Sequence, residues 1–246
     1  MLIDNFKNDI VINEEELRNG FFKMYPKKNE NNYYYYLMRL YKINVLYKYN
    51  KNKLKLAGNR KKFTIPMELD NALSEVLLKI TPGITIAIWN TTLFSSFMSL
   101  QLMHNIITIE VPYYAKDIVL NKLLECNLLA CLDKDYETML RYRGNRDLYI
   151  VRSMNQDYPI VSAHPKDNKS VITVPKIEKL LVDLIIDDIY NDIFSSELED
   201  ILRSILSSYQ INLSTMLRYA KKRYSDSMVL ETLASIGFDI ESGEFL

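Results

Sequence analysis

The sequence predicts a mixed α/β protein in two parts: a small N-terminal domain over residues 1–60 and a larger α/β domain with a helical C-terminal part over residues 61–246. Three observations carry this expectation. The first 62 residues order as helix, short strand, two helices and a hairpin. Short β-branched runs then alternate with amphipathic stretches from residue 84 to residue 174, the pattern of strands layered against helices. From residue 175 onward apolar residues recur almost without interruption at helical spacing.

The elements of the first part follow from local signals. Residues 2–8 suit a short helix, and Val11 and Ile12 a short strand. Asn13 is placed as an N-cap with Glu16 three residues on, a capping-box arrangement that opens a helix over 14–24. Pro26 ends it, and residues 27–30 form a turn. A third helix runs over 31–43, and Asn44 tolerates the left-handed conformation that closes such a helix. Residues 45–49 and 53–57 are strand-like runs joined by Asn50, Lys51 and Asn52, a hairpin turn. Helix–turn–helix plus hairpin is the order of a winged helix-turn-helix. Residues 58–62 read as a short polar linker, with Pro66 beyond it.

The second part is expected to hold an amphipathic helix at 67–80, a strand at 84–89, a helix at 90–102, a strand at 106–111 and a helix at 115–126. A strand at 128–132, a short helix at 136–142 and strands at 148–152, 160–163 and 171–174 follow. Pro175 falls in the first turn of the next helix, where its missing N–H does no harm.

Charge separates the two parts. The formal net charge is zero, but residues 1–62 hold 14 Lys or Arg against 6 Asp or Glu, giving +8, and the remainder carries −8. Residues 20–62 hold 12 basic groups and one acid, Glu30. Such asymmetry predicts an anionic partner for the first part. On a helical wheel of about 100° per residue, Leu37, Tyr33, Leu40 and Tyr41 face the core with Leu17, Phe21 and Val45. The opposite side presents Asn31, Asn32, Tyr35, Arg39 and Lys42 without an acid. Asn pairs bidentately with adenine and Arg with guanine, and Tyr reaches a phosphate or a thymine methyl. Lys48, Lys51, Lys53 and Lys55 on the hairpin suit backbone phosphates. These nine residues are the candidate DNA-binding set, with double-stranded DNA the expected partner. Of the run Tyr33, Tyr34, Tyr35 and Tyr36, two are expected in the core and two outside; a base-stacking platform normally sits on a sheet.

Catalytic signatures are not evident. His104 and His164 lack the spacing of metal ligands. There is no Gly-rich phosphate loop and no nucleophile elbow. Asp187 and Asp188 are adjacent and so point to different sides of a helix, a poor arrangement for an acid/base pair. No catalytic residue, metal or cofactor is therefore expected. Cys126 and Cys131 read as small apolar core residues and fit a reducing, cytoplasmic setting. The longest apolar stretches are too short to span a bilayer, and the first residues do not pattern as a signal peptide. Residues 183–200 carry seven acids and no Lys or Arg. A solvated helix face explains such a run; the functional alternative is a docking surface for a basic partner through Asp187, Asp188, Glu197 and Asp200. Arg218, Lys221, Lys222 and Arg223 follow, suited to pairing with those acids, capping a helix or adding a DNA contact.

Three C-terminal stretches, PKIEKLLVDL (175–184), SSELEDI (195–201) and YQINLSTMLRYAKKR (209–223), together resemble antitoxins of the abortive-infection AbiE type (AbiEi-like). IAIWNTTLFSSFM (86–98), followed by IITIEVP, is similar to the middle of the same proteins. The resemblance extends over nearly the whole chain. It implies a two-domain antitoxin of a type IV toxin–antitoxin pair. The winged helix would bind repeats in the operon's own promoter and repress it. The C-terminal domain would be needed for antitoxin activity against a nucleotidyltransferase-like toxin encoded next door. Where that family carries Trp in the recognition helix and Gly just after it, this chain has Tyr35 and Asn44. Two alternatives stay open. One is a winged-helix module that binds protein or RNA without repressing. The other is a nucleotidyltransferase-like enzyme, which needs a Gly-Ser turn and two carboxylates one residue apart. The chain has no Gly-Ser dipeptide, and its closest carboxylate pair, Asp133 and Asp135, lacks that context.

Overall fold

The computed structural model describes residues 11–65, 73, 76, 77, 84–99, 105–154, 158–163 and 172–246. The helix expected at 2–8, most of that at 67–80, residues 100–102, His104 and His164 lie outside the described residues. The chain is mixed α/β. In order it forms β1 (Ile12–Asn13), α1 (Glu14–Met24), α2 (Glu30–Lys42), β2 (Leu46–Asn50), β3 (Lys53–Leu56), β4 (Ala87–Asn90) and β5 (Ile106–Val111). Next come α3 (Lys116–Glu125), β6 (Ala130–Leu132), α4 (Tyr136–Tyr142), β7 (Leu148–Ser153), β8 (Ile160–Ala163) and β9 (Ile172–Pro175). The C-terminal part is α5 (Ile177–Ile186), α6 (Asp188–Phe194), α7 (Leu198–Ser208), α8 (Leu213–Lys222), α9 (Asp226–Ser235), β10 (Phe238–Asp239) and β11 (Glu244–Phe245).

The chain divides into two compact units, one made of residues 1–63 with 202–246 and the other of residues 64–201. The first boundary, between residues 63 and 64, lies just past the polar stretch 58–62. The second is a correction to the expected 61–246 domain: the last helices and the terminal hairpin return to the basic segment.

In the first unit, β1, β3 and β2 form a three-stranded antiparallel sheet in that order. The Asn13 side chain caps α1 by accepting the Glu15 N–H at 3.0 Å. The reciprocal box sits instead on α2, where Asn29 and Asn32 each accept the other's backbone N–H at 3.1 Å. These caps satisfy amides that the first helical turn leaves without partners. Asn44 takes the left-handed conformation, φ 57°, and turns the chain from α2 into β2. Leu17 and Phe21 of α1 pack with Tyr33, Leu37 and Leu40 of α2 over Ile12, Leu46 and Leu54 of the sheet. Residue 61 bridges to residue 209, Phe63 stacks edge-on against Tyr209 at 4.9 Å, and Gln210 Nε2 donates to the Asn44 side chain at 3.0 Å.

The second unit is built on a six-stranded mixed sheet in the order β6-β7-β5-β4-β9-β8. Strands β6, β7 and β5 run parallel, β4 is antiparallel to β5 and parallel to β9, and β8 closes the edge antiparallel to β9. Every residue of β5 is buried, as a strand covered on both faces requires. The helix expected from residue 90 is a 3₁₀ segment, Thr91–Phe97. Pro175 ends β9 rather than opening the helix; Lys176 takes the N-cap place and Ile177 the first helical position.

Inside this unit α5 places Lys179 against the sheet. Its ammonium donates to Glu110 Oε1 at 2.8 Å and to Asp183 one turn on, and all three side chains are fully buried. The Tyr158 hydroxyl donates to the same Glu110 oxygen at 2.6 Å. Beside it, Arg152 makes a two-point pair with Asp187 at 3.0 and 3.2 Å. Burial works against the Arg152 guanidinium, but Tyr190 and the Asp187 and Asp183 carboxylates prevail and hold it well above its ordinary pKa. Removing one member of a buried ion set leaves uncompensated charge behind. Lys179→Met is expected to lower unfolding free energy by about 3–5 kcal/mol, read from urea denaturation followed at Trp89. A loss below about 1 kcal/mol would mean that water reaches the acids.

Gly243 sets a limit on the terminal hairpin. Its φ is +66°, and an added Cβ would sit 2.5 Å from the Tyr49 ring of β2. Gly243→Ala should therefore destabilise the first unit by about 1–3 kcal/mol. The expected readout is selective loss of amide-exchange protection in β2 and β3; unchanged protection would contradict this packing.

Candidate nucleic-acid interface

The candidate site is built on α2, whose apolar side is held by α1 and the sheet. Opposite Tyr33, Leu37 and Leu40, the residues Asn31, Tyr34, Tyr35, Met38, Arg39 and Lys42 are exposed. Tyr33 is buried, Tyr36 is half-buried against Phe21, and Tyr34 and Tyr35 are outside, which is the expected division. Asn32 is half-buried and its Oδ1 is committed to the Asn29 amide, so it presents less than expected. Tyr34 and Met38 were missed because the wheel puts them at the flank of the polar face. Glu30, the acid of this helix, is taken up by the Arg18 guanidinium, with one contact at 3.1 Å. That hydrogen bond holds the Glu30 carboxyl below its ordinary pKa.

The hairpin lysines do not act as a set. Lys51 at the turn is exposed, and Lys48 is exposed with its ammonium 4.0 Å from Glu14. These two, with Asn13, Glu14, Glu15, Arg18 and Asn52, line an open polar recess of mixed charge. Lys53 pairs with Glu241 of the terminal hairpin. Lys55 is 2% exposed and is a correction: its ammonium donates to the Ser242 and Gly243 carbonyls at 3.0 and 2.9 Å and to Glu244. β3 is the central strand of its sheet, and the acidic turn between β10 and β11 covers the side from which Lys55 emerges. Arg60 Nη2 reaches the other Glu244 oxygen at 2.7 Å, and the Tyr49 hydroxyl donates to Ile240 O at 2.8 Å. Burial lowers the Lys55 pKa. Burial also works against the Glu244 carboxylate, but hydrogen bonds from Arg60 and Lys55 prevail and hold it below its ordinary value.

The acidic stretch is likewise divided. Asp187 is buried against Arg152, and Glu197 is buried with its carboxylate accepting the Ser99 N–H at 2.9 Å. Neither is available for docking, since each neutralises or caps something in its own unit. Asp188 and Asp200 are exposed. Asp192 accepts the Tyr136 hydroxyl at 3.0 Å. In the first unit Arg218, Lys221 and Lys222 are exposed on α8, while Arg223 donates to the Tyr219 hydroxyl at 3.0 Å. Cys126 is half-buried and Cys131 buried, and burial pushes the Cys131 thiol up to about 12. Among the described residues no group of three or more His, Cys, Asp or Glu is arranged to hold a metal ion. No described helix is long and apolar enough to cross a membrane.

Residues 32–237 match a protein family described as a family of unknown function, DUF6577. The chain belongs to DUF6577. No curated protein matches it. The DUF6577 match starts inside α2, takes in both hairpin strands and the exposed face of that helix apart from Asn31, and ends just before β10. The glutamates that occupy Lys53 and Lys55 therefore lie beyond the matched residues.

The Glu244 clasp gives a pH dependence. Its folded pKa lies below the ordinary 4.5, so its contribution is complete above about 4.5 and is lost as pH falls through the lower folded value. Amide shifts of residues 53–56 and 243–245 should titrate together in that acid range. Glu244→Gln should abolish this transition; its persistence would assign it to another carboxylate.

Proposed function

We propose that this chain is a transcriptional regulator that binds double-stranded DNA, with β1–α1–α2–β2–β3 acting as a winged helix-turn-helix and α2 lying in the major groove. The observation that carries this reading is the outward face of α2, where Asn31, Tyr35, Arg39 and Lys42 stand exposed together with no acid among them. Lys48 and Lys51 add two exposed cations on the hairpin. The returning C-terminal residues 202–246 contain five basic and five acidic groups, so the first unit keeps its net +8. A field of that sign draws a polyanion toward the helix. The resemblance to AbiE-type antitoxins extends the proposal: the chain represses its own promoter and serves as the antitoxin to a nucleotidyltransferase-like toxin, without catalysis of its own.

The test is fluorescence anisotropy of the full-length protein on the duplex upstream of its gene and on a scrambled duplex, across a salt series. The native duplex should bind more tightly. Arg39→Ala should cost about 1–3 kcal/mol on the native duplex only, whereas Lys51→Ala should weaken both alike and reduce the salt slope by about one. A reporter fused to the upstream region should be repressed by the wild type and released by Arg39→Ala. Equal binding of native and scrambled duplexes would overturn the reading.

A further inference from the structure

Phosphate binding has no use for much of what α2 exposes. About Tyr35, the helical period places Lys42, Asn31, Arg39 and Met38 within about 60°. Tyr34 stands at the flank, its ring edge-on to Tyr35 with centroids 6.2 Å apart. Tyr34, Tyr35 and Met38 are 59%, 72% and 43% exposed. Large apolar surface held in water on a folded helix is costly unless something covers it. The helix's acid, Glu30, is occupied by Arg18, so the face offers cations, an amide and apolar atoms but no available carboxylate. That combination fits a polyanion with apolar spots along it, and the major groove has one such spot, the 5-methyl group of thymine.

We infer that α2 reads an A·T-rich half-site, with Tyr35 and Met38 packing on thymine 5-methyl groups. This deepens the proposed DNA-binding function and rests on it. Asn31, next to Tyr35 on the helix face, pairs with the adenine opposite a contacted thymine. Arg39, the one guanidinium on the face, takes a guanine and sets the register. Lys42, at the C-terminal end of the helix, is left for a phosphate. Tyr34 covers the outer side of the Tyr35 ring.

The experiment uses the full-length protein and four duplexes: the region upstream of its gene, a scrambled sequence of the same composition, and both again with deoxyuridine in place of every thymine. Deoxyuridine preserves pairing and phosphates and removes only the methyl groups. Each buried methyl contact is worth a factor of about four in affinity. The native duplex should therefore weaken at least about fourfold on losing its methyls, while the scrambled pair stays equal. Met38→Ala and Tyr35→Ala should each shrink the deoxyuridine penalty, and Tyr35→Phe should retain it. Both side chains are exposed, so these variants leave the unit's core intact. If the native duplex is preferred over the scrambled one but tolerates deoxyuridine, the methyl contact is overturned and the DNA reading stands. A full deoxyuridine penalty in both alanine variants overturns the assignment to Tyr35 and Met38. Absence of any preference for the native duplex ends the DNA reading and this inference together, and leaves the face to a protein partner.

Discussion

A lysine ammonium cannot be buried without a partner, and in the first unit this constraint falls on Lys55. It stands on the central strand of a small sheet, where solvent does not reach it. Charge transfer into such surroundings costs several kcal/mol unless anions and carbonyls replace the lost water. The turn between β10 and β11 supplies two carbonyls and the Glu244 carboxylate, and the same carboxylate holds Arg60 at the end of the hairpin. Gly243 makes the approach possible because no side chain stands between it and the Tyr49 ring. Residues 240–244 thus supply the partners for the polar side chains that this sheet, which supports α2, would otherwise bury alone. The N-terminal elements are not a self-contained domain followed by a separate one.

The clasp also sorts the cations. Charges drawn into it are unavailable to a ligand, which removes Lys55 and engages Lys53 through Glu241. Lys48 and Lys51 stay at the surface, as do Arg39 and Lys42 on α2. The positive surface is therefore smaller than the charge count suggests, and it extends beyond α2 and the hairpin to Lys27 and Lys28 and to Arg218, Lys221 and Lys222 of α8.

The second unit follows the same rule with opposite emphasis. Glu110 and Arg152 are register neighbours on the adjacent strands β5 and β7, and α5 and α6 bring Lys179, Asp183 and Asp187 onto them. Two of the seven acids that look in one dimension like an exposed stripe, Asp183 and Asp187, are the counter-charges of two buried cations. Their pairing specifies how the helices lie on the sheet within this unit, a role for which buried ions are better suited than for adding stability.

Much of this was legible from local chemistry. The extent of α1, the left-handed Asn44, the hairpin and most strands of the second unit follow from capping residues, β-branched runs and a 3.6-residue period, all of which act over a few positions. The core side of α2 and the exposure of Tyr35, Arg39 and Lys42 followed from the same period. Capping partners were less secure, because Asn32 serves the box on α2 as well as any glutamate and Glu16 does not close one on α1. What tertiary structure alone decided is which charges are spent. Lys55 and Glu244 are separated by 189 positions, and Arg152 and Asp187 by 35. A charge carries no local mark of whether a distant counter-charge will meet it. The sequence by itself determined the helices, strands and sign of each part; the return of residues 202–246 and the burial of Lys55, Asp187 and Glu197 were settled only when the chain closed on itself, because burial and ion pairing depend on neighbours in space and not along the chain.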